Sequence, residues 1–399
     1  MRHLATALAI LTLATLALPG ASRAAEPDVS NWPAVLAEAE GQRVDWYAWG
    51  GEAHINDYIG WVAEDVAERH GIVLKHVKLA DTAEAVARVV AEAAAGRSDG
   101  GLVDLIWING ENFAALKAAG LLRDDRWAEQ LPHRGLVDLD RYGAAILADF
   151  GVPVDGSQSP WGRAQLSFLY DSARLPDPPR SLDALIAFAR NNPGRFTFPQ
   201  PPDFLGTTFL KQVLLDRVPD PAVLREPAGE DAYELVRAHL LPTLDALAPH
   251  LWRKGKAYPQ NVADLRRHFA SGELMLALTQ NPSDAEAAIL DGLLPPTVEV
   301  AAFEGGTIGN VHFVTIPANA NDTAGAMVVA NFLLSPEAQA RKADPAIWGD
   351  PTVLDVGALS DADRARFSTE IALDAPTLSE PHASWTPIIE RVWSEAYLQ

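Results

Sequence analysis

Three short apolar runs, each followed by a helix-period segment that ends on a glycine, constrain the fold of this chain more than any other feature. Residues 44–49 are rich in aromatics and close on Gly50-Gly51. Ile55, Tyr58, Ile59, Val62 and Val66 then recur at helical spacing, and Gly71 stands where such a helix stops. The second run is 72–79. Asp81 lies three residues before Glu84, a capping-box spacing that predicts a helix over 82–95, ended by Gly96. Residues 103–108 are nearly continuous apolar, the pattern of a strand buried on both faces, and Asn109-Gly110 turns into a helix over 112–119. Strand–helix–strand–helix–strand in this order demands right-handed crossovers and a parallel sheet covered by helices on both faces.

The middle of the chain reads as a second α/β layer beginning near residue 161. A strand is expected over 164–170, then helices over 181–190 and 204–215 with a short strand at 196–198 between them. Helices at 231–248 and 261–271 precede a strand at 273–279. Residues 298–303 and 311–316 read as paired strands, with the glycines of Gly305-Gly306 as their hairpin turn. A helix over 322–334 is followed by another that opens on Ser335-Pro336-Glu337, an N-cap with proline at the first helical position. At 399 residues the chain exceeds what one core usually serves, so two lobes are expected. The expected division is 25–160 plus 280–345 for lobe one and 161–279 for lobe two, with 346–399 packing on lobe two.

Residues 1–24 have the layout of a secretory signal peptide. Met1-Arg2-His3 is basic, 4–18 is uncharged and apolar, Pro19-Gly20 breaks the helix, and Ser22-Arg23-Ala24 offers small residues for cleavage. The apolar run is short for a membrane span, and no cysteine stands at the cleavage point to carry a lipid. Export as a soluble periplasmic chain, cut after Ala24, is the expectation. The formal net charge of −21 repels phosphate backbones and anionic lipid surfaces, which argues against nucleic acid or membrane as partner. The absence of cysteine excludes disulfides, thiolate metal sites and cysteine nucleophiles.

Several segments carry a family resemblance. Tyr47-Ala48-Trp49-Gly50-Gly51, the stretch from His76 to Val86, and Asp104 to Phe113 together resemble the YnjB-type subgroup of bacterial extracellular solute-binding proteins, the secreted binding components of ABC importers. The segment from Gln165 to Tyr170, followed by a proline and a helix starting Ser181-Leu182-Asp183, is similar to the first interlobe crossing of that superfamily. The segment from Ala318 to Gln339 resembles its C-terminal lobe-one helix pair. The match covers most of 44–355. It implies a two-lobed periplasmic binding protein fold (type II), each lobe a mostly parallel sheet flanked by helices, closing on solute about hinge strands. It also implies an inner-membrane ABC permease with its cytoplasmic ATPase as partner, a monomeric state, and neither catalysis nor a cofactor.

In open α/β sheets ligands bind beyond the carboxyl ends of strands, where loops and helix N-termini meet. Two such ends stand out: Trp49, Gly50, Gly51 and Glu52 after the first strand, and Asn109, Gly110 and Glu111 after the third. A facing wall is expected from Trp161, Gln165, Asp203 and Thr207, with Gln280 and Asn281 at a return crossing and Asn310 opening a strand close to it. Eleven tryptophans offer platforms for sugars, cations or aromatic rings. Trp46, Trp107 and Trp393 read as core, while Trp252 and Trp348 stay open. Zinc-protease, nucleophile-elbow, phosphate-loop and dinucleotide motifs are absent, and the scattered histidines support no metal site. The rival class is a secreted glycosidase-type hydrolase, which needs only two cleft carboxylates. For the solute, Glu52, Glu111 and Asp203 beside Trp49 and Trp161 suit a thiamine-like or other organic cation. The Gly-Gly amides with Arg163 suit a carboxylate or phosphate, and a polyol fits the same polar set. The excess of acids favours the cation.

Overall fold

The computed structural model describes residues 27–368 and 373–398. The segment read as an export signal lies outside the described residues. In chain order the elements are α1 (Trp32–Ala39), β1 (Arg43–Trp49), α2 (Ala53–His70), β2 (Val73–Leu79), α3 (Ala83–Ala94), β3 (Leu105–Ile108), α4 (Gly110–Ala118), α5 (Leu139–Leu147), β4 (Ala148–Asp149), β5 (Val152–Pro153), β6 (Gln158–Gln165) and β7 (Ser167–Asp171). There follow α6 (Leu182–Asn191), α7 (Phe204–Arg217), α8 (Ala232–Leu247), α9 (Val262–Ala270), β8 (Leu276–Thr279), α10 (Asp284–Leu290), β9 (Val298–Ala301) and β10 (Thr307–Thr315). The last are α11 (Thr323–Leu333), α12 (Pro336–Ala343), α13 (Asp361–Arg364), β11 (Thr377–Ser379) and α14 (Thr386–Tyr397).

The first sheet runs β11-β10-β3-β1-β2, with β6 also paired to β10. Its β2-β1-β3 part is parallel, and β10 joins it antiparallel through Phe313↔Ile108. Alternation along β1 buries Val44, Trp46 and Ala48 on one face. The helical spacing in α2 buries Ile55, Tyr58, Ile59, Val62 and Val66 together, and Gly71 ends the helix in the left-handed region at φ 66°. These faces meet in one core around Trp46, Trp127 and Trp161.

The second lobe is α/β as expected, but its sheet is antiparallel, in the order β8-β7-β9. Its core gathers Phe168, Phe196, Phe198, Phe209 and Trp393 beneath α6, α7, α8 and α14. Phe196-Thr197-Phe198 forms no strand; both phenylalanines are buried in an extended segment whose Phe196 carbonyl accepts from Trp252 N at 2.9 Å.

The crossings between the lobes differ from expectation. The strand read over 164–170 divides at Leu166 into β6 of the first sheet and β7 of the second, so Trp161 belongs to the first. After β8 the chain stays in the second lobe through α10 and β9, and it returns only at 302–306. Strands β9 and β10 therefore lie in different sheets, and Gly305-Gly306 links the lobes instead of turning a hairpin. The C-terminal segment touches both lobes. β11 pairs with β10, Ala383 N donates to Phe150 O at 2.8 Å, His382 N to Leu224 O at 2.7 Å, and α14 lies in the second core.

Candidate functional site

A cavity of about 250 Å³ lies between the lobes. From the first lobe it takes the carboxyl ends of the three parallel strands: Trp49 and Glu52 after β1, Asp81 and Thr82 after β2, and Asn109, Glu111 and Asn112 at β3 and α4. From the second it takes Asp203, Phe204 and Leu205 at the start of α7, Arg266 on α9, and Gln280, Asn281 and Asp284 after β8. Asn310 and His312 of β10 and the Trp348–Asp350 turn complete it.

The structure thus brings Trp49, Glu52, Asn109, Glu111, Asp203, Gln280, Asn281 and Asn310 to one cavity. The other expected residues lie elsewhere, each for a visible reason. Trp161 is fully buried, edge-on to Trp107 at 4.9 Å and to Trp46 at 5.5 Å, so it supports the floor instead of facing solute. A Cβ at Gly50 would stand 2.6 Å from the Lys78 side chain, and one at Gly51 would meet the Trp49 indole at 2.2 Å. The two glycines therefore make room for neighbouring side chains, not for a ligand. Gly110, at φ 60°, turns its α-hydrogens to the Phe150 ring, where a Cβ would clash, and its N–H donates to buried Asp149 at 2.9 Å. Burial pushes the Asp149 carboxyl up to about 7. Gln165 is held at the hinge by Thr307 and Thr377. Thr207 donates to Glu390 at 2.7 Å, and Arg163 donates to Thr352 O with its guanidinium over the Tyr142 ring.

Sequence reasoning missed part of the wall. Trp107, read as core, lines the cavity, as does Trp348, whereas Trp252 is in the second core with its Nε1 donating to Glu273. Trp107, Trp348 and His312 form an aromatic floor, with His312 and Trp348 stacked at an interplanar angle of 15° and Trp107 tilted 5.2 Å from His312. Behind it Asp350 pairs with buried Lys342 and lies 3.5 Å from His312 Nδ1. Burial acts to raise the Asp350 pKa, but Lys342 and His312 outweigh it and hold the carboxyl below its ordinary value. Gly162 is obligatory here, since a Cβ would stand 2.1 Å from Asp350 Oδ2. Asp81 did carry a signal, its place at the end of β2. Arg266 and Asp284 carried none, because their pairing joins α9 to α10, and through Glu52 to the first lobe, contacts that no local pattern announces.

Apart from Asp350, which Lys342 neutralises, the cavity carboxylates fall into two sets. Glu52 and Asp284 share Arg266: Nη1 lies 2.8 Å from Glu52 Oε1, and Nη2 donates to Asp284. Burial works to raise Glu52, yet Arg266 and His54 hold its pKa below the usual carboxylate value. Asp81, Glu111 and Asp203 have no basic side chain in ion-pair range among the described residues. Asp203 caps α7, accepting from Leu205 N at 3.0 Å and Gly206 N at 3.2 Å. Burial, aided by the nearby Asp81 charge, pushes its carboxyl up to about 6 despite those two donors. Among the described residues no group of three or more His, Asp or Glu is arranged to hold a metal ion.

Two α/β lobes with a cavity of polar and aromatic side chains across their junction suit a protein that holds a solute between them. The chain belongs to the bacterial extracellular solute-binding proteins, whose family profile matches residues 61–365. It is 47% identical over 398 residues to Protein YnjB of Escherichia coli (strain K12), covering 100% of this chain and 99% of that one. Its fold is that of AfuA from Actinobacillus pleuropneumoniae, solved with fructose-6-phosphate (TM-score 0.62, 14% identity, 90% of this chain and 99% of that one). It is also that of PotD from Streptococcus pneumoniae (0.62, 12%, 90% and 100%) and of iron-bound HitA from Pseudomonas aeruginosa (0.59, 19%, 88% and 98%). Family and fold are those of transport binding proteins, not of enzymes.

Proposed function

We propose that the protein captures a small organic cation, of the thiamine or quaternary-amine kind, and delivers it to an inner-membrane ABC permease with its cytoplasmic ATPase. The observation that carries this reading is the set of carboxylates without a basic partner, Asp81, Glu111 and Asp203, gathered in one cavity between the lobes. At Asp203, burial and the nearby Asp81 charge both disfavour the ionised carboxylate, and a bound cation relieves both costs. The faces of Trp49, Trp107 and Trp348 suit the same ligand, because an aromatic face attracts a cation electrostatically. Structural neighbours spread widely in cargo, with PotD named for spermidine/putrescine transport and AfuA holding fructose-6-phosphate, so the reading rests on this cavity and not on the fold.

Calorimetric titration against thiamine, choline, putrescine and fructose-6-phosphate tests it. One cation should bind at one equivalent and be recovered unchanged. Binding of the sugar phosphate alone, or turnover of any compound, contradicts it. The same reading has the protein act in the periplasm as a monomer, exported and cut after Ala24. N-terminal sequencing of the periplasmic fraction should start at Ala25, and an intact Met1 in membranes contradicts export by a cleavable signal.

A further inference from the structure

A cationic solute accounts for the unpaired acids but not for the guanidinium that shares their cavity. Arg266 is carried by α9, whose Leu265 and Phe269 are fixed in the second core. Its two carboxylate partners come from different bodies. Asp284 opens α10 of the same lobe, whereas Glu52 precedes α2, whose Ile55 sits in the first core. Each partner is oriented from its own side: Thr279 Oγ1 donates to Asp284, and His54 Nε2 lies 3.0 Å from Glu52 Oε2. Burial works against the Arg266 charge, but Asp284 and Glu52 outweigh it and hold the guanidinium protonated.

We propose that Arg266 is a latch between the lobes, whose hold on Glu52 keeps the cleft shut by protein groups alone. Opening the cleft moves Glu52 away with the first lobe while Asp284 travels with Arg266, so the Arg266–Glu52 bond is the one that breaks. The Glu52 side chain is only 10% exposed, against 31% for Arg266, so salt screens the bond somewhat less than a fully exposed pair. A planar guanidinium already fixed by Asp284 presents its other edge to Glu52 with little further ordering. The latch also opposes a repulsion. Asp81 and Glu111 on the first lobe stand across the cavity from Asp203 on the second, and like charges push the lobes apart until a cation arrives. This last point rests on the cation reading, whereas the latch itself does not.

Small-angle X-ray scattering of protein stripped of solute from denaturant and refolded tests the latch without any ligand. E52Q keeps the Arg266–Asp284 pair, and with it the local fold of the second lobe, so it should fold and show a larger radius of gyration than the wild type. R266M, which removes the donor outright, should expand at least as far as E52Q, and the E52Q/R266M double variant no further than R266M. Equal radii for wild type and E52Q overturn the proposal. So does expansion in R266M alone, which places the role of Arg266 within the second lobe. Failure of every cation in the calorimetric panel would leave these outcomes unchanged, so the two readings fail separately.

Discussion

The Glu52–Arg266–Asp284 bridge and the Asp81, Glu111, Asp203 set occupy the same cavity and use the same functional group, yet they do opposite things. In the bridge each carboxylate has a cation supplied by the protein, so its charge is neutralised and its work is to join elements. In the second set no such cation exists among the described residues, and burial and mutual repulsion push Asp203 up to about 6. The difference lies wholly in the neighbours. Both Glu52 and Asp203 precede helices, a position that favours acids in any case.

The largest effect expected of a single substitution lies beneath both sets. Trp161→Ala should cost about 3–5 kcal/mol of stability in urea unfolding, the range for emptying a fully buried aromatic site. A loss under 1 kcal/mol would place Trp161 at the solute after all and blur the line between floor and wall. Arg266→Met comes next. Breaking a buried pair costs about 3–5 kcal/mol, and a guanidinium still 31% exposed should give roughly 2–3 kcal/mol.

Asp203→Asn should act in the reverse direction. Its folded-state pKa is raised above the unfolded value, so the proton is held more tightly in the native protein. The penalty is absent below the unfolded pKa, near pH 4, grows as the pH rises to about 6, and persists above it. Asparagine keeps the cap of α7 and removes that penalty. Solute-free Asp203→Asn should therefore be more stable than the wild type by about 2–3 kcal/mol at pH 7.5 and equal to it at pH 4. A variant less stable at both values would show that Asp203 belongs with the scaffold acids.

The smallest effect concerns the wall. Trp49→Ala should weaken cation binding by about 1–3 kcal/mol, the worth of one stacked aromatic with its buried area, and leave the melting temperature of the solute-free protein nearly unchanged. Collapse of that temperature would make Trp49 scaffold.

The two regions also differ in how far the sequence reveals them. The sheet built on β1, β2 and β3 is legible because parallel strands buried on both faces read as apolar runs, and each is followed by a helix and a glycine stop. The residues at the ends of those strands, Trp49, Glu52, Asn109 and Glu111, followed directly. Asp203 was legible as the start of α7. The second sheet was not, since Phe168 pairs with Leu278 and Ala301, partners far along the chain that no local period announces. Trp161 was misplaced because the crossing falls at Leu166, and an unbroken extended run from β6 to β7 hides where one sheet ends. Trp107 looked like core because its strand is apolar throughout, yet at a carboxyl end the last residues face the cavity.

The measurement that bears most directly on the unpaired acids is the affinity of the best-binding cation as a function of pH, for the wild type and for Asp203→Asn. Ionised Asp203 favours the bound cation, so wild-type affinity should be constant above pH 7 and fall as the pH drops through about 6. Asp203→Asn should bind at least tenfold more weakly at pH 7.5, with a shallower slope through pH 6. Equal affinities at pH 7.5, or the same slope in both proteins, would show that the solute is not read by this carboxylate.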